Sequence, residues 1–250
     1  MQDGNTLKYH VSPLVSVIMP VYNAETTICA AIKSVLYQTF QEWELLVLDD
    51  GSQDNTLQCV KQFSDPRIRV CFFEHNYINT LNKGLSLAKG KDIARMDADD
   101  MMVPERLQIQ YTILEQCPHF AICSSWIQVF GDKIANKISG TLFGEINDAL
   151  SLLLHGNFIS HPTVMFRKDF FDQYGLLYKE YPYAEDFKLW FDAVLIGARI
   201  YIEPQPLVFY RLSNSQATFK YRQQQIETTQ KIQLEIIKEL IAIHLGNIFY

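Results

Sequence analysis

The chain has 250 residues, 48% of them apolar, which is enough to build a sizeable core and argues against disorder. Its 28 acidic residues against 22 basic ones give a formal charge of −6 with no long basic run, so an extended nucleic-acid interface is disfavoured. Five cysteines (Cys29, Cys59, Cys71, Cys117, Cys123) form no Cys-x-x-Cys pair, and several sit inside apolar runs; neither a disulfide framework nor a zinc site is expected, and a reducing compartment is. The polar start Met1-Gln2-Asp3-Gly4-Asn5 lacks a signal-peptide pattern, and no run of 18 apolar residues occurs. The reading is a cytoplasmic protein, with peripheral contact at the inner face of the membrane left open.

Along the chain, Val15 to Met19 is a short β-branched run ended by Pro20 and reads as a buried strand. Ala24 to Gln38 carries apolar residues at helical spacing, with Asn23 as its expected N-cap. Glu44 to Leu48 is the second strand, closed by Asp49-Asp50-Gly51-Ser52-Gln53-Asp54. There Ser52 or Asp54 is expected to cap a helix from Asn55 to Phe63. Arg67 to Phe73 is the third strand, Tyr77 to Ala88 a helix, and Asp92 to Asp97 the fourth strand. This β-α-β-α-β-α-β alternation predicts a mostly parallel sheet with right-handed crossovers and helices on both faces. Strand ends at Pro20, Asp49 and Asp97 then open onto one rim, where ligands of such sheets bind.

The second part is less regular. Helices are expected over Pro104–Gln116, Asn147–Leu154 and Tyr183–Ile196, and strands over Phe120–Phe130, Thr163–Phe166, Arg199–Glu203 and Leu207–Arg211. A long periodic segment from Gln216 to Leu245 predicts a C-terminal helix that packs on the core, pairs in a homodimer or lies on a membrane. The division drawn from the pattern is 14–100, 101–212 and 213–250, the first two sharing one core.

The richest stretch is Lys91-Asp92-Ile93-Ala94-Arg95-Met96-Asp97-Ala98-Asp99-Asp100. Three carboxylates this close repel one another, and oxygen-only ligands suit a hard divalent ion, Mg²⁺ or Mn²⁺. The alternative is a solvated acidic turn ahead of the helix that starts near Pro104.

Eight short motifs then occur in order. They are Pro20-Val21-Tyr22-Asn23, Gln38-Thr39-Phe40, Asp49-Asp50-Gly51-Ser52-x-Asp54, Leu81-Asn82-Lys83-Gly84, Ala94 to Asp100, Pro104-Glu105-Arg106-Leu107, His161-Pro162-Thr163 and Glu185-Asp186. Together, from about Val15 to Arg211, they resemble the inverting family 2 glycosyltransferases of the GT-A fold. The resemblance implies a Rossmann-like, mostly parallel sheet with a smaller mixed acceptor-side region. It implies that Pro20 and Tyr22 line a nucleobase pocket, that Asp50 accepts a hydrogen bond from the base imide (which favours a UDP-sugar donor), and that Asp97 sits near the ribose. Asp99, with Asp97, would hold the divalent ion, and Asp100 would cap the next segment or reach the metal through water. Asn23, Asn82 and Arg95 join the expected donor-side set, with Arg95 also placed to pair with an acid. Asp186 would be the general base and Glu185 an acceptor-orienting or helix-start residue, although acids in a first helical turn also serve the helix dipole. His161 and Arg211 are weaker candidates at the diphosphate or metal.

Two departures bear on this. Ser213 stands where the family often has a His after a Tyr-Arg pair like Tyr210-Arg211, which puts a metal or phosphate contact from that loop in doubt. The Gln-x-x-Arg-Trp signature of polymerising members is absent, so transfer of a single sugar to a glycan or lipid-linked acceptor, in surface polysaccharide synthesis, fits better than processive synthesis. The competing readings are a nucleotidylyltransferase, which would want a Gly-rich basic loop after the first strand, and a non-catalytic nucleotide-sugar-binding protein.

Overall fold

A computed structural model describes residues 12–131, 134–213 and 220–248. Residues 216–219 of the expected C-terminal helix, and the polar N-terminus, lie outside that range.

The amino-terminal half forms in the expected order: β1 (Val15–Val21), α1 (Ile28–Leu36), β2 (Trp43–Asp49), α2 (Thr56–Val60), β3 (Ile68–Phe72), α3 (Tyr77–Leu87) and β4 (Asp92–Arg95). β1 lies between β2 and β4, and β2 also pairs with β3, all in parallel. Alternation along β1 and β2 sorts the core into two layers. Val15, Val17, Met19, Leu45 and Val47 pack with Ile28, Ile32 and Val35 of α1, whereas Ile18, Leu46 and Leu48 pack with Leu81 and Leu85 of α3. Helices therefore cover both faces of the sheet.

β1 does not stop at Pro20. Ile18 O accepts from Met96 N–H on the β4 side, and Val21 O accepts from Asp50 N–H on the β2 side. Alternate residues face alternate neighbours, so the Pro20 nitrogen points toward β4, beyond the last ladder pair, Ile18 with Arg95. No donor is needed there. Nor does Asn23 cap α1, which begins at Ile28; Asn23 sits at φ 50° in a loop clasped to the next one. Its backbone N–H donates to Ser52 Oγ at 3.0 Å, and its Oδ1 accepts from Gln53 N–H at 2.8 Å.

The rest of the chain extends the same sheet. After β5 (Met101–Met102) and α4 (Arg106–Gln116) come β6 (Phe120–Gly131), β7 (Ile134–Ser139), β8 (Gly144–Ile146), α5 (Ala149–His155), a 3₁₀ turn (His161–Thr163), β9 (Met165–Arg167), α6 (Lys168–Gln173), α7 (Glu185–Leu195), β10 (Arg199–Arg211) and α8 (Arg222–Ile248). The strand order is β3-β2-β1-β4-β9-β6-β10-β5, with β7 on β6 and β8 on β10. The two strands expected between Arg199 and Arg211 are one. Pro204 and Pro206 interrupt it, and register shifts on either side of Pro206 absorb them as bulges against β6.

α8 packs its Ile232 and Ile236, both fully buried, into the α3 and α7 layer. Glu235 accepts from Tyr181 Oη at 2.7 Å and pairs with Lys188 of α7 at 2.9 Å. Of the three placements left open for this helix, the structure shows the first. Among the described residues no helix is long and apolar enough to cross a membrane.

Candidate functional site

The carboxyl ends of β1, β2 and β4 and the start of α7 border one cleft of about 1280 Å³. Tyr22, Asp50, Arg95, Asp97, Asp99, His161, Glu185 and Asp186 all line it, although they come from segments up to 164 residues apart. Each wall has a distinct chemistry.

At one end Asp50 is buried and fully engaged. Its Oδ1 accepts from Asn76 N–H at 2.9 Å and Thr80 Oγ at 2.6 Å, and its Oδ2 lies 2.8 Å from His75 Nδ1. The His75 ring stacks on Tyr22, with centroids 4.3 Å apart and planes at 29°. Gly51, at φ 83°, makes the turn that brings this loop against the His75 backbone.

The floor is acidic. One carboxylate oxygen from each of Asp97, Asp99 and Asp100 lies within 4.8 Å of the others. Asp100 Oδ1 accepts from Arg211 N–H at 2.8 Å, while its buried Oδ2 has no hydrogen-bond partner. Burial, together with Asp97 and Asp99, pushes its carboxyl well above the usual range. An all-oxygen donor set of close carboxylates with an orphaned buried oxygen fits a hard divalent cation. Arg211 does not line the cleft. It holds the acidic loop in place instead, its Nε donating to Asp99 O at 2.8 Å while its guanidinium lies 4.6 Å from the Phe130 ring centroid.

Arg95 is buried beside this floor. Its Nη2 pairs with Asp97 at 2.5 Å and donates to Tyr77 Oη at 2.9 Å, but Nε and Nη1 have no partner. Burial opposes its charge; Asp97 and Tyr77 outweigh that and keep it ionised. Its own backbone carbonyl, at the end of β4, is fixed by Arg106 of α4, whose Nη2 donates to Arg95 O at 2.8 Å.

On the far wall Glu185 and Asp186 open α7. Burial raises Asp186 to about 6, against hydrogen bonds from Phe187 N–H at 2.8 Å and Asn157 Nδ2 at 2.9 Å. Burial and the adjacent Asp186 raise Glu185 to about 7. A carboxylate poised near neutrality can accept a proton from a hydroxyl held beside it.

His161 is buried and its Nε2 lies 2.8 Å from Tyr178 Oη. Burial and Arg95 push its pKa well below the usual value, so it is a neutral wall and brings no positive charge to the cleft. Asn82, expected at the donor, faces a separate small cavity. Both ends of its amide are spent on the Tyr178 backbone, Nδ2 donating to Tyr178 O and Oδ1 accepting from Tyr178 N–H, each at 2.9 Å. Pro20, buried within β1, and the clasped Asn23 are likewise not among the described cleft-lining residues. Sequence reasoning passed over His75, Tyr77, Asn157 and the stacked pair Tyr183 and Tyr221 (4.5 Å, 12°), all lining the cleft, and Tyr178, which meets it through His161. Of these only the polar Glu74-His75-Asn76 stretch just before a helix offered a signal.

A family model described as "Glycosyl transferase family 2" matches residues 16–175. An uncharacterized glycosyltransferase of Haemophilus influenzae is 36% identical over 238 residues, which cover 90% of this chain and 73% of that one. The Escherichia coli protein named UDP-Glc:alpha-D-GlcNAc-diphosphoundecaprenol beta-1,3-glucosyltransferase WfgD is 47% identical over 103 residues, 40% of this chain and 41% of its own. Among solved structures, S. aureus TarS 1-349 in complex with UDP-GlcNAc aligns with a TM-score of 0.70 at 22% identity over 81% of this chain and 59% of that one. The mannosyltransferase PcManGT from Pyrobaculum calidifontis, in complex with GDP-Man and Mn²⁺, gives 0.63 at 17% identity over 86% and 61%. At these identities the likeness is one of fold, and the fold is GT-A. The chain thus spans about three-quarters of the Haemophilus relative and less than two thirds of the other proteins compared.

Proposed function

The chain belongs to glycosyl transferase family 2, a family of inverting glycosyltransferases, and from that premise we propose that it moves a single sugar from a UDP-sugar to a hydroxyl of a glycan or lipid-linked acceptor, in surface polysaccharide synthesis. The observation that carries this reading is the convergence of Asp50, Asp97, Asp99 and the Glu185-Asp186 pair on one cleft, with the buried Asp100 carboxylate beside Asp97 and Asp99. The donor and acceptor named for WfgD support the UDP-sugar and the lipid-linked acceptor.

In this proposal Tyr22 and Asp50 take the nucleobase and Asp97 lies near the ribose. Asp97, Asp99 and Asp100 hold a divalent ion, Mn²⁺ or Mg²⁺, which when bound supplies Lewis-acid neutralisation of the charge growing on the leaving diphosphate. Arg95 adds a fixed positive charge and two nitrogens, Nε and Nη1, with no hydrogen-bond partner at the same wall. Asp186 accepts the proton of the acceptor hydroxyl as it attacks the anomeric carbon from the face opposite the diphosphate, which inverts that centre. Glu185 orients the acceptor. The residues 14–100 serve the donor, 101–212 the acceptor and the chemistry, and within 213–250 the helix α8 (Arg222–Ile248) is the brace.

The test is UDP release from UDP-glucose, UDP-galactose and UDP-GlcNAc with Mn²⁺ and a polyprenyl-diphosphate sugar acceptor. Asp186→Asn should keep UDP binding and lose turnover by roughly 10²–10⁴-fold. Because the base acts ionised, the wild-type rate should rise with pH through the interval from about 6 to about 7, spanned by the coupled Asp186 and Glu185, and level off above it. No binding of UDP or any UDP-sugar at millimolar concentration defeats the donor assignment. An Asp186→Asn enzyme as fast as wild type defeats the base assignment.

A further inference from the structure

We propose that His75 is a built-in surrogate for the nucleobase: it occupies the place between Tyr22 and Asp50 that the donor's base takes, and the donor must displace it to bind. The inference rests on the donor reading above and adds to it a residue and a competition.

Two observations on independent groups converge. The His75 and Tyr22 rings are in stacking contact at 4.3 Å, so no base can enter between them, and the Tyr22 face they share is covered. The second concerns Asp50. His75 Nδ1 lies 2.8 Å from Asp50 Oδ2 and 3.0 Å from Asp50 O. Both neighbours are acceptors, so Nδ1 carries the proton and donates to them. A flat ring on Tyr22 with an N–H directed at Asp50 is what a base bearing an imide N–H would present.

The arrangement is also easy to exchange. The His75 side chain is 62% exposed and its described polar contacts are those to Asp50. Asp50 is held by other means, since Asn76 N–H and Thr80 Oγ stay on Oδ1 when Oδ2 changes partner. Rotation of one side chain therefore clears the Tyr22 face and frees Oδ2 without disturbing the carboxylate. His75 immediately precedes Asn76, the N-cap of α3, whose side chain accepts from Asn79 N–H at 3.0 Å, so the backbone under it is anchored.

A competitor present only in the free protein lowers apparent affinity by the fraction of molecules it blocks. His75→Ala should thus tighten UDP binding about 3–10-fold, and tighten CDP by the same factor, because the removed competition does not depend on which base arrives. A His75 that instead touches the bound base as a second wall would give the opposite result, weaker UDP and an altered UDP-to-CDP ratio. The experiment is calorimetric titration of UDP and CDP, each with Mn²⁺, into wild type, His75→Ala and Tyr22→Ala, with the imidazole Cε1–H resonance of His75 followed by NMR. Tighter binding of both nucleotides to His75→Ala and a His75 resonance that shifts on adding UDP support the surrogate. If Tyr22→Ala loses UDP while His75→Ala binds it no better than wild type, or if the resonance does not move, the surrogate is overturned and the donor reading stands. Wild type that binds no UDP, or Tyr22→Ala that binds it equally well, overturns the donor reading itself.

Discussion

Asp92 opens β4 at the end of the strand remote from the cleft, fully buried, with neither carboxylate oxygen hydrogen-bonded. Burial raises it to about 7, although Arg167 and Lys91 draw it back. Its unfolded value is the ordinary 3.8, so between pH 3.8 and about 7 the folded state holds the proton more often than the unfolded chain does. Stability is then greatest at the acid side of that window, falls as pH rises through it, and stays low above it. Asp92→Asn removes the charge and should stabilise the protein by about 2–4 kcal/mol at pH 8, with little change at pH 4.5, read from urea unfolding at both values. Equal effects at the two values would show that desolvation of the carboxylate is not the cause. Individual residues were legible in the sequence where a strand end dictates their place. Asp50, Asp97, Asp99 and Asp186 reach the cleft because they follow β2 and β4 or begin α7. Asn82 and His75 were not legible, because their roles are set by what faces them: the Tyr178 backbone 96 residues on, and an aromatic ring from another loop.

Elements with one dominant periodicity could be read off the chain, and α3 shows what fixes their packing. Gly84 faces the sheet so closely that a Cβ there would lie 2.3 Å from Leu48 Cδ1 and 3.1 Å from Ile18 Cγ2. Alanine gains up to about 1 kcal/mol of helix propensity, but overpacking costs roughly 1–3 kcal/mol. Gly84→Ala should therefore lower the urea midpoint by the equivalent of about 1–2 kcal/mol with the slope unchanged. A raised midpoint would mean that the Leu48 side chain swings aside freely. β5, β7 and β8 escaped the sequence reading for a different reason. Two or three residues cannot establish an alternation, and Ile134–Ser139 places Asn and Lys in its interior, so their pairing depends on β6 and β10 already being in place. The doubled expectation for β10 came from its prolines, which break the sequence pattern but only bulge the strand.

For the molecule as a whole, a single sheet runs from β3 through β9 and β6 to β5, so the strands that precede Tyr22, Asp50 and Asp97 are continuous with those of the second half of the chain. The net charge of −6 includes the close carboxylates of the cleft floor, and relieving their repulsion should register in global stability. At a hundred times its dissociation constant, a bound ion adds about 2.7 kcal/mol, or roughly 5–11 °C in Tm for a chain of this size. Mn²⁺ titrated into metal-free protein should give a rise of that order, chelator should reverse it, and Asp99→Asn should abolish it. A shift equally large in Asp99→Asn would place the ion elsewhere.

The Asn82 amide grips Tyr178, and Tyr178 in turn meets His161 on the cleft wall. A side chain that is not among the described cleft-lining residues thus acts as a mortise joint for one side of the chamber. Changes at the joint should in consequence shift that wall from outside it, with every residue lining the cleft left unaltered.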